Sequence, residues 1–437
     1  MRWGSSGRAE EPTPSAEPHV SIPGRMSPDQ QLARVRAACE ATLQQNWREG
    51  TRREDDVRFA YTSPSPGHYP WQFYWDSCFT AITWRHFDAA RSRRELQSLL
   101  ATQREDGFIG HTIFWDIPLT GFRRFTYNVT SADAQMTSSI QPPLLAWAWH
   151  IAVGDPAQVP GIGAHHRWLE ANRDLDGDGL IWIIQPDESG LDASPQFDVV
   201  WGRCAHGLPG FVKLVHRNRR LGYDLRRVVA AGQPVCCEVM TNVLYSLSRS
   251  ALGLPSLTGA LIERMYDDRA GLFRPLVRPQ PRRPAAVTWT ALSPLALPDL
   301  PEEIGHRLVR EHLLNPARFW LPFPPPSVAV DDPSFSTDDR RLFGPRRYWR
   351  GPTWINSAWL LWLGLIRLGY EEQAHQLADR ICTVVLRQGL REYYHPRTGA
   401  GMGAVNFGWS TLVMELATRE PRTRTSYLAP RRQTPAD

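Results

Sequence analysis

The stretch PDQQLARVRAACEATLQQNWR, residues 28–48, places its apolar residues at helical spacing directly after a Ser–Pro start. The same spacing recurs along the chain, whereas strand-like alternation is rare and short. It predicts further helices over residues 76–89, 91–104, 134–153, 163–173, 208–221, 234–252, 255–267, 301–314, 353–368, 371–387 and 406–418. About twelve helices joined by long connections rich in Pro and Gly predict a single all-α domain, and they favour an (α/α)6 barrel, a six-hairpin toroid.

The rival architecture is a helical-repeat solenoid. The sequence shows no self-similarity at a fixed period, so the barrel is favoured. Residues 268–300 and 316–347 are rich in Pro and irregular, which predicts a rim or lid insertion. The polar ends predict disordered tails over residues 1–27 and 420–437, with one ordered domain over residues 28–419 between them.

The composition excludes several classes of protein. The formal net charge is +5 and is carried almost wholly by Arg, since Lys213 is the single Lys; without a basic block or a nucleic-acid motif, nucleic-acid binding is not expected. The chain has no long apolar run and no apolar N-terminal segment, so we expect no membrane span and a cytoplasmic location. Its six Cys lack zinc spacing, which indicates reduced core thiols, and no cofactor is expected.

The chain contains 18 Trp, and Trp, Tyr and Phe together make up 11% of its residues. Many of the Trp stand beside Asp, Arg or Asn in short motifs such as YPWQFYWDS and RYWRGPTWINSAW. A hydrophobic core does not need polar neighbours for its Trp. A sugar site does, because the apolar face of a pyranose stacks on an indole while its hydroxyls bond to polar side chains. The motifs therefore indicate a small carbohydrate as the partner.

Two short stretches offer carboxylates for acid–base chemistry. ESGLDASP, residues 188–195, holds Glu188 and Asp192 among turn-forming residues after the apolar run LIWII. Asp192 fits either a capped surface turn or a catalytic acid whose pKa is raised by Glu188 or Asp187. Glu392 precedes two Tyr and the glycine-rich segment TGAGMG. It fits either a solvated surface Glu or a base beside a loop that is pressed against a ligand.

Four motifs carry a family resemblance: YWDSCF (residues 74–79), ESGLDASP, YWRGPTWINSAW (348–359) and REYYHPRTGAGMGAVNFGWS (391–410). Their content and order resemble glycoside hydrolase family 63, in particular its short single-domain branch with the bacterial mannosylglycerate and glucosylglycerate hydrolases. The resemblance spans nearly the whole ordered chain. It implies an (α/α)6 barrel and an inverting α-glycosidase for a small α-glucoside or α-mannoside, with the glycerate glycosides themselves as the alternative substrates.

The resemblance also implies roles for single residues. Asp192 is the expected general acid and Glu392 the expected general base, with their carboxyls about 6.5–9.5 Å apart so that a water fits. Asp76 is expected to hold the sugar, although it also fits a helix N-cap, and Gln141 also fits a polar residue that leads into a helix. Trp349 and Trp354 fit packing residues, but five residues apart with Arg350 between them they better fit a stacking wall. The substrate-binding residues that the resemblance implies are Tyr69, Trp75, Asp76, Gln141, Glu188, Trp349, Arg350, Gly351, Trp354 and Trp409.

Two departures from the family pattern concern the aglycone. The glycerate branch is expected to have a Trp before the Glu-Ser-Gly motif, where this chain has Asp187. It is also expected to hold the glycerate carboxylate with an Arg and a Tyr, where the matching stretch GQPVCCEV supplies Gln233 and Val239. A neutral amide cannot make the bidentate charged contact that Arg makes. We therefore predict a neutral or cationic aglycone in preference to glycerate.

The remaining patterns are weaker. DLDGDG, residues 174–179, resembles half a calcium loop, but Gln185 stands where a bidentate Glu is needed, so a turn is preferred. His165 and His166 have no third ligand at useful spacing, and no metal is expected. A sugar epimerase would need pocket His, and the motifs contain only His395. A non-catalytic sugar-binding barrel is disfavoured because both carboxylates are present.

Overall fold

The computed structural model describes residues 26–52, 54–117, 135–202, 208–279, 283–338 and 348–419, and most of their regular structure is helical. The α-helices of these residues are α1 (Pro28–Asn46), α2 (Tyr74–Trp84), α3 (Ala89–Leu100), α4 (Leu145–Ala152), α5 (Pro160–Arg173), α6 (Asp198–Trp201), α7 (Leu208–Arg220), α8 (Leu225–Ala230), α9 (Val239–Ala251), α10 (Thr258–Met265), α11 (Glu302–Arg307), α12 (Ile355–Arg367), α13 (Glu371–Gln388) and α14 (Val413–Thr418). A π-helix follows α11 over Leu308–Leu313, and 3₁₀ helices include Pro186–Ser189, Trp289–Ala296 and Gly408–Leu412.

Short antiparallel sheets of two strands each accompany the helices. In the described part of the chain they are β1 (Trp47–Thr51) with β2 (Arg58–Thr62), β3 (Gln72–Phe73) with β4 (Thr112–Ile113), β5 (Val235–Cys237) with β8 (Leu276–Arg278), β6 (Tyr266–Asp267) with β7 (Leu272–Phe273), and β9 (Arg391–Tyr394) with β10 (Gly401–Val405). In β1–β2, Trp47 pairs with Thr62 and Thr51 with Arg58. The prediction that strands are rare and short is confirmed. The fold is mainly helical, and these small ladders are added to it.

Six helical segments pack against one another in a closed order. α2 packs on α4, α4 on α9, α9 on Trp289–Ala296, Trp289–Ala296 on α12, α12 on Gly408–Leu412, and Gly408–Leu412 back on α2. Further helices pack on these six: α3 on α2 and α4, α10 on α9, α13 on α12, and α1 on Gly408–Leu412. Nearly every residue of α2, α9 and α12 is buried, as expected for helices that have neighbours on several sides.

The predicted helices are confirmed, with shifts at their ends that have local causes. At the start of α1, the Ser27 hydroxyl accepts a hydrogen bond from the Gln30 N–H, and the Gln30 side chain accepts one from the Ser27 N–H. This reciprocal capping box fixes the first turn at the predicted position. The helix ends at Asn46 and not at residue 48, because the chain enters β1 at Trp47.

Two predicted helices begin well after the expected residue. The described part of residues 134–153 is helical only from Leu145, because Pro142 and Pro143 lack backbone N–H groups and disfavour helix before them. The segment predicted over residues 234–252 begins at Val239, since Val235–Cys237 pairs with β8. The short helix α8 was not predicted, because six residues show less than two helical turns of periodicity.

One expectation for the Pro-rich stretches is wrong. Residues 268–300 are predicted to form a rim or lid, but Trp289–Ala296 is fully buried and is one of the six segments of the closed ring. Pro294 lacks an N–H, so this segment winds as a 3₁₀ helix while its apolar side chains stay in the core. Residues 316–338 are irregular as expected, and 339–347 lie outside the described residues.

Other expectations concern thiols, membranes and tails. The described Cys are buried and free, which confirms their expected core role: Cys39, Cys78, Cys236, Cys237 and Cys382. Cys204 lies outside the described residues, as do the predicted tails apart from Met26 and Ser27.

None of the described helices combines the length and the apolar character that crossing a membrane requires.

Candidate active site

Asp192 lies on a loop that two left-handed backbone conformations shape. The 3₁₀ helix Pro186–Ser189 ends at Gly190, whose φ is 69°. Ala193, directly after Asp192, has a φ of 64°, which is uncommon for a residue with a Cβ. Most of the loop is buried, but the Asp192 side chain is exposed. The two turns therefore direct this carboxyl away from the packed loop.

The Asp192 carboxyl has an electrostatic environment suited to an acid. Burial within the protein is the main cause that raises its pKa to about 7, the charge of Asp187 raises it further, His111 lowers it, and Glu392 adds a smaller increase. Asp192 is nevertheless exposed to solvent. Both observations fit a carboxyl that opens into a recess, where a ligand reaches it but little bulk water screens it. With this pKa it can donate a proton near neutral pH.

Glu392 lies on β9 and is almost fully buried. Its Oε2 accepts a hydrogen bond of 2.9 Å from the Ala404 N–H on β10, and its Oε1 accepts one from the Tyr348 hydroxyl. Gly403 has a φ of 67°, and a Cβ at this position would lie 2.5 Å from Glu392 Oε2. The expected glycine-rich loop therefore presses against this carboxylate itself, and only Gly fits at residue 403.

Asp76 lies in the first turn of α2. Its carboxyl is buried, and its pKa is raised well above the usual value, first by burial and then by the charge of Glu392. The N-cap of α2 is Phe73, which offers no side-chain acceptor, so the alternative of Asp76 as N-cap is excluded. Gln141 supplies an acceptor from a distant segment, since its Oε1 accepts the Trp75 N–H at 2.9 Å. Asp76 therefore shares one region with both expected catalytic carboxyls.

Aromatic rings from the motifs pack into one cluster in the same region. The rings of Trp349 and Trp354 are stacked, with centroids 3.8 Å apart and planes at 7°. Trp409 lies 5.7 Å from Trp354 and 5.2 Å from Trp75, ring centroid to ring centroid. The motifs that are far apart in the sequence thus meet, as the resemblance implies.

The stacked pair offers less ring surface than expected. Trp354 also packs against Tyr393, with centroids 4.6 Å apart, and Trp349 lies 6.1 Å from Trp289 on a near-parallel plane. Trp349 and Trp354 are fully buried and stack on each other, so their faces are largely covered. Among the described residues, the indole N–H groups of Trp349, Trp354 and Trp409 are buried and have no acceptor. The cluster therefore contains three buried hydrogen-bond donors that are unpaired in the described part of the chain.

Arg350 and Gly351 are held by the protein around them. Arg350 is buried and donates from Nη2 to Asp198 Oδ1 on α6 at 2.5 Å. The Gly351 N–H donates to Ser327 Oγ at 2.8 Å, and a Cβ at residue 351 would lie 2.8 Å from the carbonyl carbon of Ser336. Gly351 is therefore required by close packing of the backbone, and Arg350 enters the region as half of an ion pair.

Glu188 points into the protein. Arg173 on α5 donates to both of its carboxylate oxygens, at 2.7 and 2.8 Å, and the N–H groups of Ile140 and Ile184 donate to them as well. Both partners of this ion pair are buried. The geometry does not support the predicted sugar contact of Glu188, and it gives the residue a part in anchoring the loop that precedes Asp192. Of the two neighbours expected to raise the pKa of Asp192, Asp187 does so.

Three residues near the carboxyls have roles that sequence reasoning missed or left general. Tyr348, the first residue of the YWRGPTW motif, donates to Glu392. Tyr69 packs edge-on against Phe407 with centroids 6.0 Å apart, and its charge would raise the pKa of Tyr348. His111 places Nδ1 3.7 Å from Asp187 Oδ2. Nothing in the sequence around His111 marks it, because it comes from a loop with no motif.

Gln233 and Val239, the two residues predicted to stand in the aglycone region, differ in their exposure to solvent. Gln233 is partly exposed and its Nε2 donates to the Ala231 carbonyl at 3.2 Å, whereas Val239 is fully buried at the start of α9. Closer to Asp187 lies Tyr223, whose pKa is raised by burial and by Asp187 and is lowered by Arg219 on α7. The region around Asp187 therefore contains charges of both signs.

The acidic loop over residues 174–179 is a turn closed by arginines. Asp174 accepts the N–H groups of Gly177 and Gly179 at 2.7 and 3.0 Å. Arg264 pairs with both Asp176 and Asp178, and Arg278 pairs with Asp176. Guanidinium groups thus stand where a cation would have to bind. No group of His, Cys, Asp and Glu in the described ranges could hold a metal ion.

Comparisons with known proteins show which family the chain belongs to. A model of the mannosylglycerate hydrolase MGH1-like glycoside hydrolase domain matches residues 69–252 and 254–410. A mannosylglycerate hydrolase of Thermus thermophilus is 30% identical over 426 residues, which cover 83% of this chain and 97% of the relative. A glucosylglycerate hydrolase of Mycolicibacterium hassiacum is 25% identical, with 80% of this chain and 92% of the relative covered.

A solved structure extends the comparison to three dimensions. A GH63 mannosylglycerate hydrolase of Thermus thermophilus, in complex with Tris and D-glycerate, superposes with a TM-score of 0.73 at 25% identity. The superposition covers 88% of this chain and 100% of the Thermus chain. The helical fold is therefore shared along almost the whole length. The chain belongs to the mannosylglycerate hydrolase MGH1-like branch of glycoside hydrolase family 63, and it is a glycoside hydrolase.

Proposed function

We propose that the chain hydrolyses a small α-mannoside or α-glucoside with inversion, with Asp192 as general acid and Glu392 as general base. One observation carries the proposal. An exposed carboxyl whose pKa is raised to about 7 lies close enough to a second, buried carboxyl for the charge of the second to contribute to that pKa. An inverting glycosidase needs such a pair, one group that is protonated and one that accepts a proton.

The two carboxyls would divide one reaction between them. Asp192 would donate its proton to the glycosidic oxygen as the bond from that oxygen to the anomeric carbon breaks. Glu392 would accept a proton from a water whose oxygen bonds to the anomeric carbon from the opposite face. Asp192 would then be ionised and Glu392 protonated, and proton exchange with solvent would restore both. The hydrogen bonds from Ala404 and Tyr348 orient Glu392 for this step.

The sugar itself would be held by the cluster around α2. Asp76 is a further carboxyl close enough to Glu392 to be affected by its charge, and Gln141 bonds to the turn that carries Asp76. The buried indole N–H groups of Trp349, Trp354 and Trp409 are donors without an acceptor in the described protein. A polyhydroxylated ring supplies acceptors for such donors.

The aglycone has two candidates. The names of the similar proteins favour glycerate, because they include both a mannosylglycerate and a glucosylglycerate hydrolase. The residues of this chain favour a neutral or cationic group, because Asp187 brings negative charge beside Asp192. We also infer that the domain spans residues 28–419 as a six-hairpin toroid, which the closed ring of six packed segments supports.

The test is hydrolysis of α-mannosides and α-glucosides followed by proton NMR. The purified chain is expected to release free sugar whose first-formed anomer is β, before mutarotation mixes the anomers. Asp192→Asn, assayed beside it, should release almost none. Release of the α-anomer first would overturn the inverting mechanism, and absence of hydrolysis with mannosides and glucosides of neutral, cationic and glycerate aglycones would overturn the proposed function.

A further inference from the structure

A second carboxyl near Asp76 has no part in the proposed chemistry. Glu95, on α3, is completely buried. Its Oε1 accepts the Thr62 N–H at 3.0 Å and lies 2.6 Å from the Thr80 hydroxyl, while its Oε2 lies 2.8 Å from the Thr62 hydroxyl. A buried carboxyl is costly unless it is hydrogen-bonded, and here the surrounding side chains supply those hydrogen bonds.

The hydrogen bonds of Glu95 lead to the turn that carries Asp76. The Thr80 hydroxyl, which contacts Glu95, also lies 2.9 Å from the Asp76 carbonyl. The Thr62 hydroxyl accepts the Trp84 indole N–H at 2.8 Å, at the far end of α2. One carboxyl thus connects α3, β2 and both ends of α2. If Glu95 moved, the first turn of α2 would lose a hydrogen-bonded support.

The partners of Glu95 are neutral. The groups that favour its charged form are hydroxyls and one backbone N–H, and burial outweighs them, which raises its pKa to about 8. Glu188 is buried to the same extent but accepts two hydrogen bonds from the guanidinium group of Arg173. A buried carboxylate without a cation is expensive, whereas a buried carboxylic acid among hydroxyls is satisfied as donor and acceptor.

We propose that Glu95 is a positioning residue that holds the first turn of α2 as a neutral carboxylic acid, so that Asp76 faces the sugar without another negative charge beside it. This inference rests on the proposed function, in which Asp76 contacts the sugar. The titratable groups of α2 that sense Glu95 are Asp76 and Cys78. Asp76 also senses Glu392, and a charged Glu95 would make ionised Asp76 still less favourable.

The first test asks whether Glu95 is neutral, and it needs no substrate. A Glu ionises near 4.5 in the unfolded chain but at about 8 in the fold, so its contribution to stability is complete below 4.5 and is lost as the pH rises through 8. Glu95→Gln cannot ionise. Its melting temperature minus that of the wild type should therefore increase between about pH 5 and about pH 8.

The control for this measurement is Glu372→Gln, an exposed position on α13 whose difference from the wild type should stay flat. The infrared difference spectrum of the wild type minus Glu95→Gln at neutral pH should contain a positive protonated carboxyl band. A melting-temperature difference for Glu95→Gln that is flat or falls with rising pH would show that Glu95 ionises in the fold, and the proposal would be overturned.

The second test asks whether Glu95 positions Asp76. Thr80→Val removes the hydroxyl that joins Glu95 to the Asp76 carbonyl and keeps the shape of the side chain. Thr83→Val removes a buried hydroxyl one turn further along α2, which donates to the Phe79 carbonyl at 3.4 Å. On the substrate that the wild type hydrolyses best, Thr80→Val should lower kcat/KM about tenfold. Thr83→Val and Glu95→Gln should stay within about threefold of the wild type.

Failures of the two proposals give different results. If the wild type hydrolyses no glycoside, the proposed function is overturned, whereas the pH dependence of stability still decides whether Glu95 is neutral. If the wild type is active and Thr80→Val matches Thr83→Val in kcat/KM, Glu95 does not position Asp76, and the inference fails while the proposed function stands. A larger loss of kcat/KM in Thr80→Val than in Thr83→Val, at a similar melting temperature of the two variants, supports positioning, because both lose one buried hydroxyl of α2.

Discussion

Gly190 lies directly against the indole of Trp75. A Cβ at residue 190 would fall 2.7 Å from Cη2 and 2.8 Å from Cε2 of this ring, and the φ of Gly190 is 69°. The loop that carries Asp192 therefore meets the helix that carries Asp76 through a glycine and a ring face. The position of Asp192 relative to Asp76 therefore requires that residue 190 has no side chain.

Gly190→Ala should push the loop that carries Asp192 away from the helix that carries Asp76. The left-handed backbone costs a residue with a Cβ about 1–2 kcal/mol, and the clash with Trp75 must also be relieved. We expect kcat/KM to fall at least about tenfold and the melting temperature to fall as well. Gly177→Ala is the matched control, since its φ is 74° and no atom lies within 4 Å of the added Cβ. Equal effects of the two substitutions on kcat/KM would contradict the prediction.

Asp192→Asn and Glu392→Gln should each lower turnover at least about a hundredfold, because acid–base groups contribute about 10²–10⁴ to the rate. The fold should survive both changes. Asn retains the shape of the exposed Asp192, and Gln can still accept the Ala404 N–H. Steady-state kinetics checks the loss of turnover, and thermal unfolding checks that the fold survives. The surface variant Asp155→Asn is the control for both measurements. A variant at either position that keeps a near wild-type rate would remove that residue from its role.

Asp187→Asn should move the pH–rate profile toward acid. Asp192 must be protonated to act, so activity is lost as the pH rises through its pKa, which is about 7 and which Asp187 raises. Removing the charge of Asp187 lowers that pKa, and the basic limb shifts to lower pH. His111→Gln should shift the limb in the opposite direction, because His111 lowers the pKa of Asp192. Shifts of the same sign in both variants would exclude this account.

The sequence predicted the helices, because they depend on local pattern, and the family resemblance predicted the convergence of the motifs. It could not predict which way a side chain turns within a loop. Glu188 and Asp192 are four residues apart, yet one pairs with Arg173 inside the protein and the other is exposed. Trp349 and Trp354 were expected to form a stacking wall, but they stack on each other, since residues in a non-helical loop have no fixed angular spacing.

The buried 3₁₀ helix Trp289–Ala296 shows a second limit. Pro294 and its Pro-rich surroundings suggested a rim, but the apolar residues of this segment place it in the core. Pro294 removes a backbone donor from this segment, but its apolar side chains decide that it lies in the core. The apolar run could have been recognised from the sequence. The hydrogen bonds of Glu95 could not, because they join three elements through hydroxyls that no spacing rule connects.

The aglycone provides the last prediction. Asp187 brings negative charge beside Asp192, and a glycerate carboxylate bound nearby would be repelled by it. Like charges about 4 Å apart repel by about 1–4 kcal/mol at effective dielectric constants between 80 and 20. Neither Gln233 nor Val239 can compensate, because Gln233 is a neutral amide and Val239 is buried at a helix start. We therefore expect kcat/KM to be lower for mannosylglycerate and glucosylglycerate than for methyl glycosides of the same sugars.

Measurement of kcat/KM on the four substrates decides between the two aglycones. Asp187→Asn should raise kcat/KM on the two glycerate glycosides relative to the methyl glycosides, because only the glycerate carboxylate is repelled by Asp187. A preference of the wild type for glycerate of about tenfold or more, worth about 1.4 kcal/mol, would overturn the prediction. Arg219→Ala would then test whether this cation on α7, which affects the pKa of the same Tyr223 as Asp187, holds the carboxylate.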